Sequence, residues 1–294
     1  MKNSFIPMAW ASALMLATAA MAAAQDKAEP KSYPLWDGKE SQAEYAKRAG
    51  IPDVNLTLDL GNQMSMKLTL IPAGKFTMGC QSLDKALASS ASALPVHEVT
   101  LSKPFYLGTY EVTQEQFRAL MGINPSLRFG PNLPVTDVSW IDAMRFCDKL
   151  AKQTGKKVSL PTEAQWEYAY RAGTTTAFFF GDDPRQLGDY AWTTENSQGY
   201  DAVQPVGLKK PSPWGLYDIA GNAPEWVLDW FSDVYHTNQK VDPQGPRAGG
   251  EGRYERVWRG GHTGVAWQWC TAYHRKHAPP RGYAAGLRVA VPVE

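Results

Sequence analysis

From Thr174 to the C-terminus the chain holds no long segment of helical or strand period. It runs through turns and short strands rich in Gly, Pro, Asp, Trp and Tyr. No period of about 20 to 50 residues recurs, which excludes a solenoid. The sequence has 11 tryptophans and 13 tyrosines against 20% charged residues. That balance indicates a loop-rich domain whose core and surface pockets are aromatic.

The regular elements are predicted before that point. Asn55 to Leu60 and Ser65 to Ile71 alternate like half-buried strands around a turn at Gly61-Asn62, and Lys75 to Gly79 continues the pattern. His97 to Thr113 gives two further strands, broken at Lys103-Pro104. Thr113, Ser139 and Thr162 each open a helix, two of them with the spacing of a capping box. In the second helix Ala143, Phe146, Cys147, Leu150 and Ala151 share one face, so Cys147 reads as a small buried hydrophobe. Gly155 and Gly173 stand where C-terminal caps belong. Glu225 to Phe231 reads as a short strand or turn of aromatic alternation. The fold class is α+β, with few helices and much irregular chain.

With 30 basic and 29 acidic side chains, net charge gives no argument for nucleic acid as a partner. Lys2, an apolar run and Ala22-Ala23-Ala24 form a signal-peptide pattern over residues 1–24, predicting cleavage after Ala24 and export to a periplasm or beyond the cell. Residues 25–54 read as a polar linker with one short helix over Ser41 to Ala49, and residues 55–294 as a single domain. No other run is long enough to span a membrane. Cys80, Cys147 and Cys270 are an odd number of cysteines for an oxidising compartment. No hydrolase elbow, P-loop, dinucleotide fingerprint or zincin motif occurs.

Seven blocks occur in order: IPAGKFTMG from Ile71, PVHEVTLSKPFYLGTYEVTQEQF from Pro95, LPVTDVSW from Leu133, LPTEAQWEYAYRAGT from Leu160, PWGLYDIAGNAPEW from Pro213, RVWRGG from Arg256 and GLRVA from Gly286. Together they closely resemble the formylglycine-generating enzyme, or sulfatase-modifying factor, family over about residues 65 to 292. The resemblance implies one compact domain with an elaborated C-type-lectin-like fold. The family's founding activity oxidises a sulfatase cysteine to formylglycine with molecular oxygen and a copper ion held by two thiolates, ligands that suit soft Cu(I).

This sequence departs from that pattern. An ungapped reading places His262 at the family's serine after RGG, Val265 at the first copper cysteine and Cys270 at the second. A second comparison makes Cys270 a structural cysteine whose partner lies in an EYAC segment, where this chain has Tyr170. Pro224 stands where the enzymes have tryptophan. Copper is therefore not expected, and Cys270 is the one residue left as a catalytic candidate.

The resemblance further implies structural calcium, with side-chain oxygens from Asp218 and Glu225 and carbonyls from Gly221 and Ala223. The alternative for that turn is a capping Asp218 and a salt-bridged Glu225. His262, Trp267, Trp269, Tyr273 and Arg275 form the expected binding face for a peptide, protein or glycan ligand, while Arg259, Arg275 and Arg288 read as buttresses of the floor. The expected function is an exported, calcium-stabilised binding or accessory module. The alternative is a divergent metal-dependent oxidase acting on a cysteine-containing peptide or small molecule, its metal held by Cys270 and the tail histidines His262, His274 and His277.

Overall fold

A computed structural model describes residues 31–80, 91–197, 199, 202–247 and 254–294. The expected signal peptide and residues 25–30 of the expected linker lie outside them.

The linker reading changes from Tyr33 onward, where the compact unit begins. Helix α1, Gln42–Ala49, is closed by a Ser41–Glu44 capping box. Tyr45 is fully buried, and its hydroxyl donates to the Pro34 carbonyl at 2.9 Å and accepts from the Ala73 amide at 3.1 Å. The indole of Trp36 packs edge-on against Trp214 at 5.2 Å. A few aromatic anchors thus hold a segment whose overall composition is polar.

Strands β1, Asn55–Gly61, and β2, Met64–Ile71, form an antiparallel hairpin. Its turn is centred on Asn62 and Gln63, at φ 52° and 64°, one residue later than the sequence placed it. Two successive positive φ angles match the right-handed twist of the flanking strands. Strands β3 (Gly74–Met78), β4 (His97–Leu101) and β5 (Phe105–Gly108) follow. The helices are α2 (Gln114–Met121), α3 (Trp140–Thr154) and α4 (Glu163–Arg171), with Thr113, Ser139 and Thr162 as N-caps. Strand β6, Val138–Ser139, precedes α3, and β7 (Glu225–Trp230), β8 (Arg256–Arg259), β9 (Lys276–Ala278), β10 (Tyr283–Leu287) and β11 (Ala290–Pro292) complete the chain.

Three sheets result. One has the order β1-β2-β5-β11, one pairs β3 with β4, and the third has the order β6-β10-β7-β8-β9 with β10 and β7 parallel. In α4 every residue except Gln165 is buried, which makes this short helix the centre of the domain. Cys147 is fully buried on the inner face of α3, and burial raises its thiol pKa. No helix among the described residues is long and apolar enough to cross a membrane.

The cap of α4 differs from the sequence reading. Ala172 takes the left-handed cap position at φ 45°, and Gly173 follows at φ 92° with the Trp36 ring over it. A Cβ on Gly173 would stand 2.6 Å from that ring. Gly173 is therefore needed for contact as well as for its dihedral. Gly173→Ala is expected to cost about 1–3 kcal/mol in urea unfolding. In a Trp36→Ala background part of that cost should disappear, leaving the left-handed backbone contribution.

Candidate functional site

The RGG turn follows directly from β8. Gly260 and Gly261 have φ of 96° and 76°, and the Gly260 carbonyl accepts from the Gly221 amide at 2.7 Å. A Cβ on Gly261 would meet the Cys270 sulfur at 2.6 Å, so the missing side chain makes room for the thiol. Residues Trp267–Cys270 form a 3₁₀ turn against this floor. Cys270 is fully buried, and burial, with a smaller contribution from Glu195, pushes its thiol up to about 12. A buried thiol of that kind is neither a ready nucleophile nor a ready metal ligand. Val265 is buried nearby, its carbonyl accepting from the Thr194 amide at 3.2 Å.

Tyr170 stands where the second comparison placed a cysteine partner. Its hydroxyl donates to the Cys270 carbonyl at 2.6 Å, tying α4 to the tail by a hydrogen bond where the resemblance implies a disulfide partner. Tyr170→Phe leaves that buried carbonyl without its donor and is expected to cost about 1–3 kcal/mol in chemical unfolding. An unchanged midpoint would remove Tyr170 from this role.

Beneath the floor lies an ion network. Arg259 donates to Glu163 at 2.6 Å and to Glu167 at 2.9 Å, and also reaches the Ala272 carbonyl. Arg171 donates to Glu167 at 2.8 Å, and Arg275 forks onto both oxygens of Glu163 at 2.6 and 2.8 Å. Burial alone would raise the Glu167 carboxyl, but Arg171 and Arg259 outweigh it and hold it below its usual value. Asp229 accepts from the Glu163 amide at 2.7 Å, and burial beside the Glu163 carboxylate pushes its pKa up to about 7.

The expected binding face does not assemble as one surface. Arg275 and Tyr273 are buried, because the Arg275 guanidinium is committed to Glu163 and to the Ser92 and Ser232 carbonyls. Trp267 packs against the core near Phe178, and Trp269 is exposed, with Lys276 over its ring at 3.8 Å. His262 lines a separate cavity. The tail histidines also diverge: His274 is buried against Trp269, while His277 stacks on Phe231 and pairs with Glu255 at 2.7 Å.

Asp218 and Glu225, the expected side-chain ligands of calcium, sit in a second buried network. Glu225 accepts from Arg288 at 2.8 Å and from the Trp166 indole at 2.8 Å, so its oxygens are already shared. Asp218 accepts from the Gly207 amide at 2.6 Å through Oδ2, while its Oδ1 is buried with no hydrogen-bond partner among the described residues. Glu111, also buried, accepts from the Ala223 amide at 2.9 Å. Burial pushes Asp218 up to about 6 and Glu111 well above its ordinary value, with Asp218 and Glu225 adding to the Glu111 shift. Three buried carboxylates thus face one buried guanidinium. That surplus of acidic groups and the unpartnered Asp218 oxygen fit a hard divalent cation in donor type. Among the described residues no three His, Cys, Asp or Glu side chains converge as a metal cluster. A cation here would draw on backbone carbonyls, which the resemblance assigns to Gly221 and Ala223.

The cavity beside His262 has a volume of about 540 Å³. Arg128, Asp137, Asn222, Pro224, Trp258 and His262 are among the residues lining it. Asp137 and Asn222 hold left-handed backbones at φ 58° and 55°, and such dihedrals in non-glycine residues cluster at ligand clamps. The sequence reading offered Trp258 as a cleft-lining residue and missed Arg128 and Asp137. The available signal was Asp137 as a polar interruption of the apolar LPVTDVSW block.

The sequence profile of the sulfatase-modifying factor enzyme 1-like domain matches residues 59–293. The formylglycine-generating enzyme of Bos taurus is 26% identical over 286 aligned positions, covering 75% of this chain and 73% of the relative. That of Thermomonospora curvata is 34% identical over 53% of each chain. The chain therefore spans from about half to three quarters of these enzymes' lengths. Among solved structures, Treponema denticola variable protein 1 is similar at a TM-score of 0.71 and 27% identity, covering 82% of this chain and all of that one. The ordered blocks, the RGG floor and a profile match over most of the sequence make this chain a member of the sulfatase-modifying factor family.

Proposed function

We propose that the protein is an exported, calcium-stabilised binding or accessory module of its family, without copper-dependent oxidation. The observation that carries this reading is the state of Cys270. It lies sealed under the Gly260-Gly261 turn with its thiol pushed up to about 12, and Val265 stands at the position of the other copper thiolate. Losing one of two soft ligands removes copper affinity, and burying the other removes its nucleophilicity. The family's floor then remains as a scaffold, and the cavity at His262 and Trp258 supplies the binding site for a peptide, protein or glycan. Calcium would be held by Asp218, Glu225 and the carbonyls of Gly221 and Ala223, and its work there is to neutralise buried carboxylates.

Thermal unfolding of the chain from residue 25 tests this reading. Chelation should lower the midpoint, and calcium well above its dissociation constant should restore it by about 5 °C or more, following about 2.7 kcal/mol at a hundredfold excess. Cu(I) should add no oxygen consumption with a cysteine-containing peptide. Copper-dependent turnover that disappears in Cys270→Ser would overturn the proposal in favour of an oxidase.

A further inference from the structure

The cavity beside His262 carries two fixed charges of opposite sign, and neither is matched by the protein. Arg128 is exposed and donates through Nη1 to the Val203 carbonyl at 3.1 Å. It pairs with no carboxylate among the described residues. Asp137 accepts from the Thr136 hydroxyl at 2.9 Å and has no cationic partner among the described residues. His277, also on this wall, has its Nδ1 2.7 Å from a Glu255 carboxylate oxygen.

The buried arginines of the fold are compensated closely. The guanidiniums of Arg171, Arg259, Arg275 and Arg288 all meet glutamates at 2.6 to 3.0 Å. A guanidinium with free donors is a fork for a carboxylate, and a carboxylate without a cation accepts from an ammonium. Asp137 is also held in a left-handed backbone at φ 58°, so its direction is set by the turn before β6 rather than by a partner. The same wall includes Trp258 and Pro224, apolar faces suited to a side chain or a peptide plane. A volume of about 540 Å³ lies within the range of small-ligand sites, roughly 300 to 1,000 Å³.

We propose that this cavity takes a small zwitterion of the amino-acid or short-peptide class, its carboxylate at Arg128 and its ammonium at Asp137. The inference rests on the binding-module reading and names the ligand class for the same site. Opposite charges at two points of one cavity also fix orientation, so a ligand capped at either end loses one anchor.

Calorimetric titration with the tripeptide Gly-Phe-Gly, its N-acetyl derivative and its C-terminal amide tests the proposal on the intact chain. The free peptide should bind, and each cap should weaken it about tenfold or more, as loss of a charged hydrogen bond does. Arg128→Ala should bind acid and amide alike, while Asp137→Asn should bind the free and acetylated amines alike. Both variants alter partly exposed side chains, and an unchanged thermal midpoint checks that they fold. Equal binding of the three peptides, retained discrimination in the variants, or no binding of the free peptide overturns the zwitterion assignment. In that case, binding of another peptide or of a glycan that is lost in Trp258→Ala leaves the binding-module reading standing. If nothing binds in a Trp258-dependent way, both readings fail.

Discussion

Three guanidiniums and two glutamates, sealed beneath a glycine turn, fix the geometry of everything around them. Arg171, Arg259 and Arg275 reach Glu163 and Glu167 on the central helix α4 and carbonyls on surrounding loops. A domain with little regular structure in its second half has few ladders to satisfy its backbone. Planar forks replace them, because one arginine fills several acceptors on segments far apart in sequence. Desolvating these charges is costly, and removing a single member would strand its partners at about 3–5 kcal/mol. The network is thus a constraint on register and topology as much as a source of stability.

The same constraint holds the family floor in place without any metal. Gly260 and Gly261 make room for Cys270 and the 3₁₀ turn, and Tyr170 secures that turn by a hydrogen bond. None of these contacts needs copper. A thiol packed against backbone in this way behaves as a small apolar group. Glu111, Asp218 and Glu225 are three buried carboxyl groups beside the buried guanidinium of Arg288, and the calcium proposed there would act on stability rather than on reaction.

Local signals in the sequence carried the helices well. Thr113, Ser139 and Thr162 cap α2, α3 and α4 because a side-chain oxygen meets amides two or three residues on, a relation written within a few positions. Longer-range facts were less legible. Nothing near Gly173 announces that Trp36 lies over it, and the polar stretch before Asn55 conceals the buried Tyr45. The binding face was read from one tail segment, whereas the cavity wall is gathered from separate loops bearing Arg128, Asp137, Pro224 and Trp258. Buried Arg275 and Tyr273 look identical in sequence to exposed ones, because burial depends on partners more than 40 residues away, as with Arg275 and Glu163 at |i−j| of 112. The ordered motif blocks supplied what local patterns lacked.

On the proposed reading the domain keeps a cation of charge balance near Asp218 and lacks the cation of catalysis at Cys270. Anomalous diffraction from crystals of the mature chain grown with calcium and then soaked in Cu(I) measures both at once. The account predicts a calcium peak within about 2.6 Å of an Asp218 oxygen and no copper peak at Cys270. Copper bound to the Cys270 sulfur, with the Gly260-Gly261 turn displaced to admit it, would contradict the account.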